Sequence, residues 1–339
     1  MLHRRTLIAW PALAALTWAS SVRTGPQQSS MKAVRFHEFG KAEVLRIEDV
    51  PKPVAGRGEV LVRVHAAGVN PVDWKVRAGQ LKALNPTLPQ ITGFDIAGVV
   101  ESKGPEVERF ELGDEVYAFL ALERGGGYAE YALVPATELA LKPKRLDFTR
   151  SAAVPLAALT AWQALFDNAG LSQGQTLLVH GAAGGVGHFA VQLAKAKGAR
   201  VIATASERNH AFLKQLGADQ VIDYTTQRFE ELARDVDVVL DSIGGDTLER
   251  SYGVVKQGGF VVSIVARPDA AKLSARGLRG AVIRVKPDAK QLAQIAAWID
   301  AGRLAPEVSA VLPLAEVRKA HELSEAGHTR GKLVLQVRP

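Results

Sequence analysis

The chain has 339 residues, enough for two domains of ordinary size, and is 47% hydrophobic and 23% charged, with no low-complexity tract or internal repeat. Its formal net charge of +7 is mild and interspersed. No basic stripe with interleaved aromatics is present, which argues against nucleic-acid binding. Zero cysteines exclude disulfides, a catalytic thiol and a thiolate zinc site.

Residues 1–30 differ from the rest. Arg4-Arg5 precede an apolar run over residues 6–19, interrupted by Pro11 and followed by Ser20-Ser21. That run is too short for a stable membrane span. A secretory or twin-arginine export signal is one reading. The other is an upstream start codon that is not used, because Met31 is the only other methionine and Met31 to Phe36 reads as a native first strand.

From residue 31 to about 150 the pattern is short strands between Gly/Pro turns, clearest at 58–65, 96–101 and 113–118. This predicts a compact β-rich domain. Residues 152–169 then read as a helical connection, after which strands and helices alternate. Strands are predicted at 176–181, 200–206, 220–224, 236–241, 259–265 and 281–285, with a closing helix at 288–301. Six strands alternating with helices predict an α/β fold with one doubly wound parallel sheet. After Gly302 a helix near 314–326 and a strand at 332–337 are expected to rejoin the first domain.

The most informative stretch joins the first of those six strands to its helix. Leu177-Leu178-Val179-His180 runs into Gly181, Ala183, Gly184, Gly185, Val186 and Gly187, and residues 188–197 are amphipathic. A strand, a glycine turn and a helix N-terminus in that order present backbone N–H groups to a pyrophosphate. In NAD-binding units an acidic residue about 20 positions further on grips the ribose 2′-OH. Here the strand ends in Ala205 and Ser206, followed by Glu207 and Arg208. A small residue, a hydroxyl and a guanidinium suit a 2′-phosphate, which favours NADP(H) over NAD. Glu207 argues the other way, although a helix start suits a solvated carboxylate.

Other residues have plain structural readings. His180 is expected in the core or turn, and His65, His210, His321 and His328 form no metal-ligand spacing. Asp219, Asp223, Asp235, Asp237 and Asp241 read as turn and cap residues. No Gly-x-Ser-x-Gly elbow supports a hydrolase.

Ordered matches run along the chain: Gly58-Glu59-Val60, Ala66 to Asp73, Gly93 to Gly98, Gly113 to Val116, Leu159 to Trp162, the glycine turn, Leu216 to Asp219 and His328 to Lys332. Through them, residues 31–339 resemble the medium-chain dehydrogenase/reductase superfamily, specifically its zinc-free quinone oxidoreductase branch. The resemblance implies a GroES-like catalytic domain over 31–152, a Rossmann NADP-binding domain over 153–302, and a return to the catalytic domain over 303–339. Zinc alcohol dehydrogenases carry a cysteine ligand near the position of Asn70 and a His-Glu pair after that of Gly93. This chain has Asn70 and Phe94-Asp95 there, so no metal is expected. Without a Lewis acid to stabilise an alkoxide, reduction of a quinone or an α,β-unsaturated carbonyl fits better than alcohol oxidation.

The resemblance also implies site residues. Ala183 to Val186 match the pyrophosphate loop, and Ser206 and Arg208 are expected to hold the 2′-phosphate. Tyr224 matches a position near the adenosine end, or is a strand-end aromatic. Ile243 and Gly244 follow the fourth strand, and Ser263, Ile264 and Val265 close the fifth, where relatives contact the nicotinamide. Thr160 matches a threonine near the carboxamide, or caps local helix backbone. On the acceptor side, Asn70 either hydrogen-bonds an acceptor oxygen or ribose or forms a turn. Trp74 flanks the substrate or packs in the small domain. Lys75 stabilises an enolate or is solvated.

A small-molecule carbonyl or quinone substrate and a homodimer are the partners expected. Enoyl-thioester reduction and a non-catalytic NADPH-binding structural protein are the alternatives. NADPH as cofactor points to the cytoplasm unless the protein is exported folded and loaded.

Overall fold

The computed structural model describes residues 29–84 and 87–338, so the segment read as a signal or an unused start falls almost wholly outside them. The chain first forms β1 (Ser30–Phe36), β2 (Arg46–Pro51), β3 (Glu59–Val69), β4 (Gln90–Ile91), β5 (Asp95–Lys103), β6 (Glu115–Phe119), β7 (Tyr131–Pro135) and β8 (Leu139–Leu141). It continues through β9 (Thr176–Val179), β10 (Arg200–Ala205), β11 (Gln220–Asp223), β12 (Val236–Asp241), β13 (Val255–Ser263) and β14 (Arg279–Val282), and closes with β15 (Val308–Pro313) and β16 (Lys332–Gln336).

β9 to β14 form one all-parallel sheet in the order β11-β10-β9-β12-β13-β14. Strand order therefore reverses between β9 and β12, and a doubly wound sheet opens a crevice for ligands at such a point. The central strands read as apolar runs because helices cover both faces: every residue of β12 is buried, as are Leu177 to Val179 of β9. The other module, antiparallel except for the parallel pair β15-β16, holds a three-stranded sheet, β2-β1-β4, and a larger one ordered β15-β16-β3-β5-β6-β8, with β7 also on β3. β16 pairs with β3 through Leu333 opposite Val69.

A single hydrophobic cluster runs through both modules, from Phe36 and Phe119 to Leu159, Val191, Leu292 and Val334. The buried Tyr117 hydroxyl adds a 2.6 Å bond to the Leu292 carbonyl. No helix among the described residues is long and apolar enough to cross a membrane.

Several boundaries differ from the sequence expectation: β9 ends at Val179, β13 runs from Val255 and β14 spans Arg279–Val282, and two further differences have a visible cause. Residues 152–169 are not one helix. Phe148–Ala152 stops, Pro155 starts a new helix to Trp162, and a π-helical turn follows over Gln163–Asn168. Proline has no N–H to continue a helix and suits the first turn of a new one. β13 ends at Ser263, two residues before the expected boundary. There the Ser263 hydroxyl accepts the N–H groups of Val265 and Ala266 and so turns the chain.

Three buried histidines make the fold sensitive to acid. Burial holds His180 and His188 down to about 4 and, with the Arg77 guanidinium, His321 to about 3. Unfolded histidines take protons near pH 6.5, so this stability is complete above that value and is lost as the pH falls through about 4. Asp73, pushed up by burial to about 7, and Asp95, also raised by burial, oppose the trend, whereas Glu101, Asp219, Glu230 and Asp237, held down by their hydrogen bonds and cationic neighbours, reinforce it. The urea midpoint is expected to fall between pH 7 and pH 4.5, and to fall less in His180→Gln. An unchanged or rising wild-type midpoint at pH 4.5 contradicts this.

Candidate functional site

The glycine turn sits at the reversal of strand order. Gly181 has φ +63°, and a Cβ there would lie 2.5 Å from Ser242 Oγ and 3.2 Å from Ile243 Cδ1, so the turn lies against the end of β12. Gly187 opens the helix Gly187–Ala196, and a Cβ on it would be 2.4 Å from the Gly181 carbonyl oxygen. These two positions let the helix begin directly on the strand. The Gly184 N–H donates to the Gly181 carbonyl at 3.0 Å and closes the turn. Among the described residues no acceptor takes the N–H groups of Gly185, Val186 or Gly187. With the positive end of the helix behind them, those donors form an anion cradle. A Cβ on Gly184 would meet just the Gly181 oxygen, at 3.2 Å, so its outer side is open.

His188 braces the turn from inside. Its Nδ1 donates to the Gly184 carbonyl at 2.9 Å and its Nε2 accepts from the Glu307 N–H at 3.3 Å, which defines a neutral ring. Burial, and then the Lys332 charge, hold its pKa down to about 4.

Around the cradle, Ser206 follows β10 and accepts a bond from Asn209 Nδ2 at 3.2 Å, while the exposed Arg208 donates to the His328 carbonyl at 3.2 Å. Tyr224 is 60% exposed just past β11, Ile243 57% past β12 and Val265 42% past β13. Large apolar side chains left in solvent along one edge of a sheet mark a surface that a ligand would cover. Gly244 and Ser263 serve the scaffold as well. Asp241 Oδ1 accepts the Ile243 and Gly244 N–H groups at 3.0 and 2.9 Å, and its Oδ2 accepts the Ser263 hydroxyl at 2.7 Å. The Ile264 N–H bonds the Asp241 carbonyl. The Thr160 hydroxyl donates to the Leu156 carbonyl at 2.7 Å, the local-backbone alternative of its two readings.

The acceptor-side residues start from Asn70, which precedes the helix Pro71–Arg77. Asn70 is buried, and its Nδ2 donates to Asp95 Oδ2 at 2.8 Å while its Oδ1 accepts from the Lys332 ammonium. Lys332 also donates to the Val69 carbonyl at 2.8 Å and stands 3.6 Å from Asp95 Oδ2. Asp95 Oδ1 accepts the Leu156 N–H at 2.7 Å. Asp73 Oδ2 accepts the Asn70 N–H at 2.5 Å and the Tyr128 hydroxyl at 2.8 Å. Burial raises Asp95 and lowers Lys332, and each opposes the shift of the other. Asp95 receives donors alone and Lys332 meets oxygens alone, so the charged pair is the form that the geometry satisfies.

Trp74 and Lys75 lie outside this network. The buried Trp74 Nε1 has no acceptor among the described residues, and the Lys75 ammonium stands 5.6 Å from the Trp74 ring. Sequence reasoning missed the network's cation. Lys332 was visible as part of the closing Gly-Lys pair, and Asp73 and Asp95 within matched segments. Tyr128 carried no signal.

A dinucleotide-type cradle at the switch point of a parallel sheet, joined to an antiparallel module, defines a class of nucleotide-dependent oxidoreductase folds. Residues 56–144 match the family described as "Alcohol dehydrogenase GroES-like domain" and residues 216–335 the one described as "Zinc-binding dehydrogenase". The chain is 38% identical over 322 residues to 2-methylene-furan-3-one reductase of Solanum lycopersicum, covering 92% of this chain and 80% of that protein. The quinone oxidoreductase of Coxiella burnetii matches with TM-score 0.86 at 38% identity, over 91% of this chain and 100% of that one. A cobalt- and zinc-bound thermostable alcohol dehydrogenase of Pyrobaculum aerophilum matches with TM-score 0.79 at 32% identity, over 91% and 100%. The chain belongs to the medium-chain dehydrogenase/reductase superfamily, in its quinone oxidoreductase branch.

The zinc implied by one of those family descriptions does not fit the residues present. The positions that the resemblance assigns to zinc ligands hold an amide and a carboxylate bridged by a lysine ammonium, and no cluster of three His, Cys, Asp or Glu suited to a metal occurs among the described residues.

Gly187→Ala places a methyl group within 2.6 Å of Ala182 Cα and 2.4 Å of the Gly181 oxygen. It is expected to cost about 1–3 kcal/mol of stability, whereas Gly184→Ala, with open space outside it, should cost less than about 1 kcal/mol. Urea titration of both variants tests this, and equal losses would contradict the assigned packing.

Proposed function

We propose that the protein is an NADPH-dependent, zinc-independent reductase of quinones or α,β-unsaturated carbonyls. The observation that carries this reading is the cradle of unpaired Gly185, Val186 and Gly187 N–H groups at the switch point, beside a β10 that ends without a carboxylate. The cradle would take the diphosphate. Ser206 and Arg208 would take the 2′-phosphate, and Tyr224 the adenosine end. Ile243, Gly244, Ile264 and Val265 would border the nicotinamide, and Thr160 stands on the helix facing Asp95. A reduced nicotinamide bound there supplies the hydride.

The chain's own contribution is to hold donor and acceptor together and exclude water, with the Asn70–Pro71 segment and Trp74 on the acceptor side. The balancing proton comes from solvent. The names of the tomato and Coxiella relatives, an enone-type reductase and a quinone oxidoreductase, support the substrate class. We further read the protein as a cytoplasmic homodimer paired through the free outer edge of β14.

The test is NADPH oxidation followed by absorbance with 9,10-phenanthrenequinone and with an enone, in the presence of a chelator. Turnover with either acceptor supports the reading. Tight NADPH binding with neither acceptor reduced contradicts it and favours the structural-protein alternative. Ser206→Asp should weaken NADPH about tenfold or more by opposing a 2′-phosphate, and NADH much less. Equal effects on both nucleotides would overturn the phosphate assignment.

A further inference from the structure

Lys332 is 3% exposed and carries a buried ammonium that the hydride-transfer reading does not use. It begins β16, and the residue before it is fixed in place. Gly331 has φ +64°, a Cβ there would lie 2.3 Å from the Glu307 carbonyl oxygen, and its N–H donates to the Ala183 carbonyl at 2.8 Å. The dipeptide Gly331-Lys332 is thus bonded to the glycine turn through its backbone. The Lys332 side chain passes beneath that turn, since a Cβ on Gly185 would be 3.2 Å from Lys332 Cδ. It ends among the Val69 carbonyl, the Asn70 amide oxygen and Asp95. One residue therefore links the cradle to the turn that begins the acceptor side.

Stability does not explain the lysine. Removing an ammonium from water costs about several kcal/mol, and an apolar residue in place of a buried ion pair is often neutral or stabilising. The pair is also placed where it matters for geometry. Asn70 offers one carbonyl oxygen and one NH2, and Lys332 and Asp95 each claim one of them, which fixes which way the amide faces. Asp95 is in turn anchored by the Leu156 N–H at the start of the helix that carries Thr160.

We propose that Lys332 is a positioning residue of the reductase: a fixed cation that contacts Asn70 and Asp95, two of the positions the resemblance assigns to metal ligands, and sets the orientation of Asn70 relative to the glycine turn. The proposal rests on the reductase reading.

The experiment measures kcat and KM for 9,10-phenanthrenequinone, the NADPH Kd by fluorescence and the urea midpoint for wild type, Lys332→Met, Asn70→Ala and the double variant. If the wild type does not turn over, the reductase reading fails first. If it does, Lys332→Met is expected to lower kcat about tenfold or more through misplacement, with the NADPH Kd unchanged within about threefold. The double variant should be no slower than Asn70→Ala alone, because both changes remove the same orientation. A Lys332→Met kcat within twofold of wild type overturns the proposal, as do losses that multiply independently in the double variant. Should Lys332→Met not fold, Lys332→Arg keeps the charge and displaces it. A lowered kcat with NADPH affinity held then supports the proposal, and a wild-type kcat overturns it.

Discussion

Two adjacent residues near the end of the chain connect the parts of the site. The Gly331 N–H holds the glycine turn at Ala183, and the Lys332 ammonium holds the Asn70 turn and Asp95. The first bond fixes the cradle relative to β16, and β16 lies in the same sheet as β3, which leads into Asn70. The distance between the glycine turn and Asn70 is thereby set by covalent geometry and a few short bonds. The shared hydrophobic core carries the rest of that register.

The same junction explains how a fold with metal-binding relatives works with a different set of groups. A metal site needs several converging donors with deprotonated lone pairs. Here Asn70 contributes a neutral amide, the position after Gly93 is Phe94, and the buried cation beside Asn70 is covalently part of the chain. A lysine ammonium donates hydrogen bonds and cannot accept a lone pair from a substrate oxygen as zinc does. The chemistry best matched to such a site is one in which charge spreads over the substrate itself, as in an enone or quinone.

Much of this was legible in the sequence. The alternation of short apolar runs and amphipathic stretches from residue 176 onward locates the six parallel strands within a few residues, because strands buried on both faces read as unbroken apolar runs too short for helices and bounded by turn residues. The glycine turn was equally plain, since Gly181 and Gly187 are required by contacts that a Cβ would forbid. Asn70 was legible as a position but not in its role. Its partners are Asp95 and Lys332, 25 and 262 residues away in sequence, and no local pattern encodes a contact of that range. The break at Pro155 was available from the residue itself, whereas the π turn after Trp162 depends on tertiary bonds, such as that from Gln163 Nε2 to the Lys286 carbonyl. Lys75 drew attention as the lysine nearest the Asn-Pro segment, yet the buried cation comes from the opposite end of the chain.

The claim on which the account stands is that the amides at the head of the helix Gly187–Ala196 bind a dinucleotide diphosphate. Hydrogen–deuterium exchange of the Gly185, Val186 and Gly187 amides, with and without saturating NADPH, measures it directly. The account predicts exchange that is fast in the free protein, given no internal acceptor, and strongly slowed by NADPH. Exchange at these three amides that NADPH leaves unchanged, under conditions where the nucleotide is bound, would contradict it.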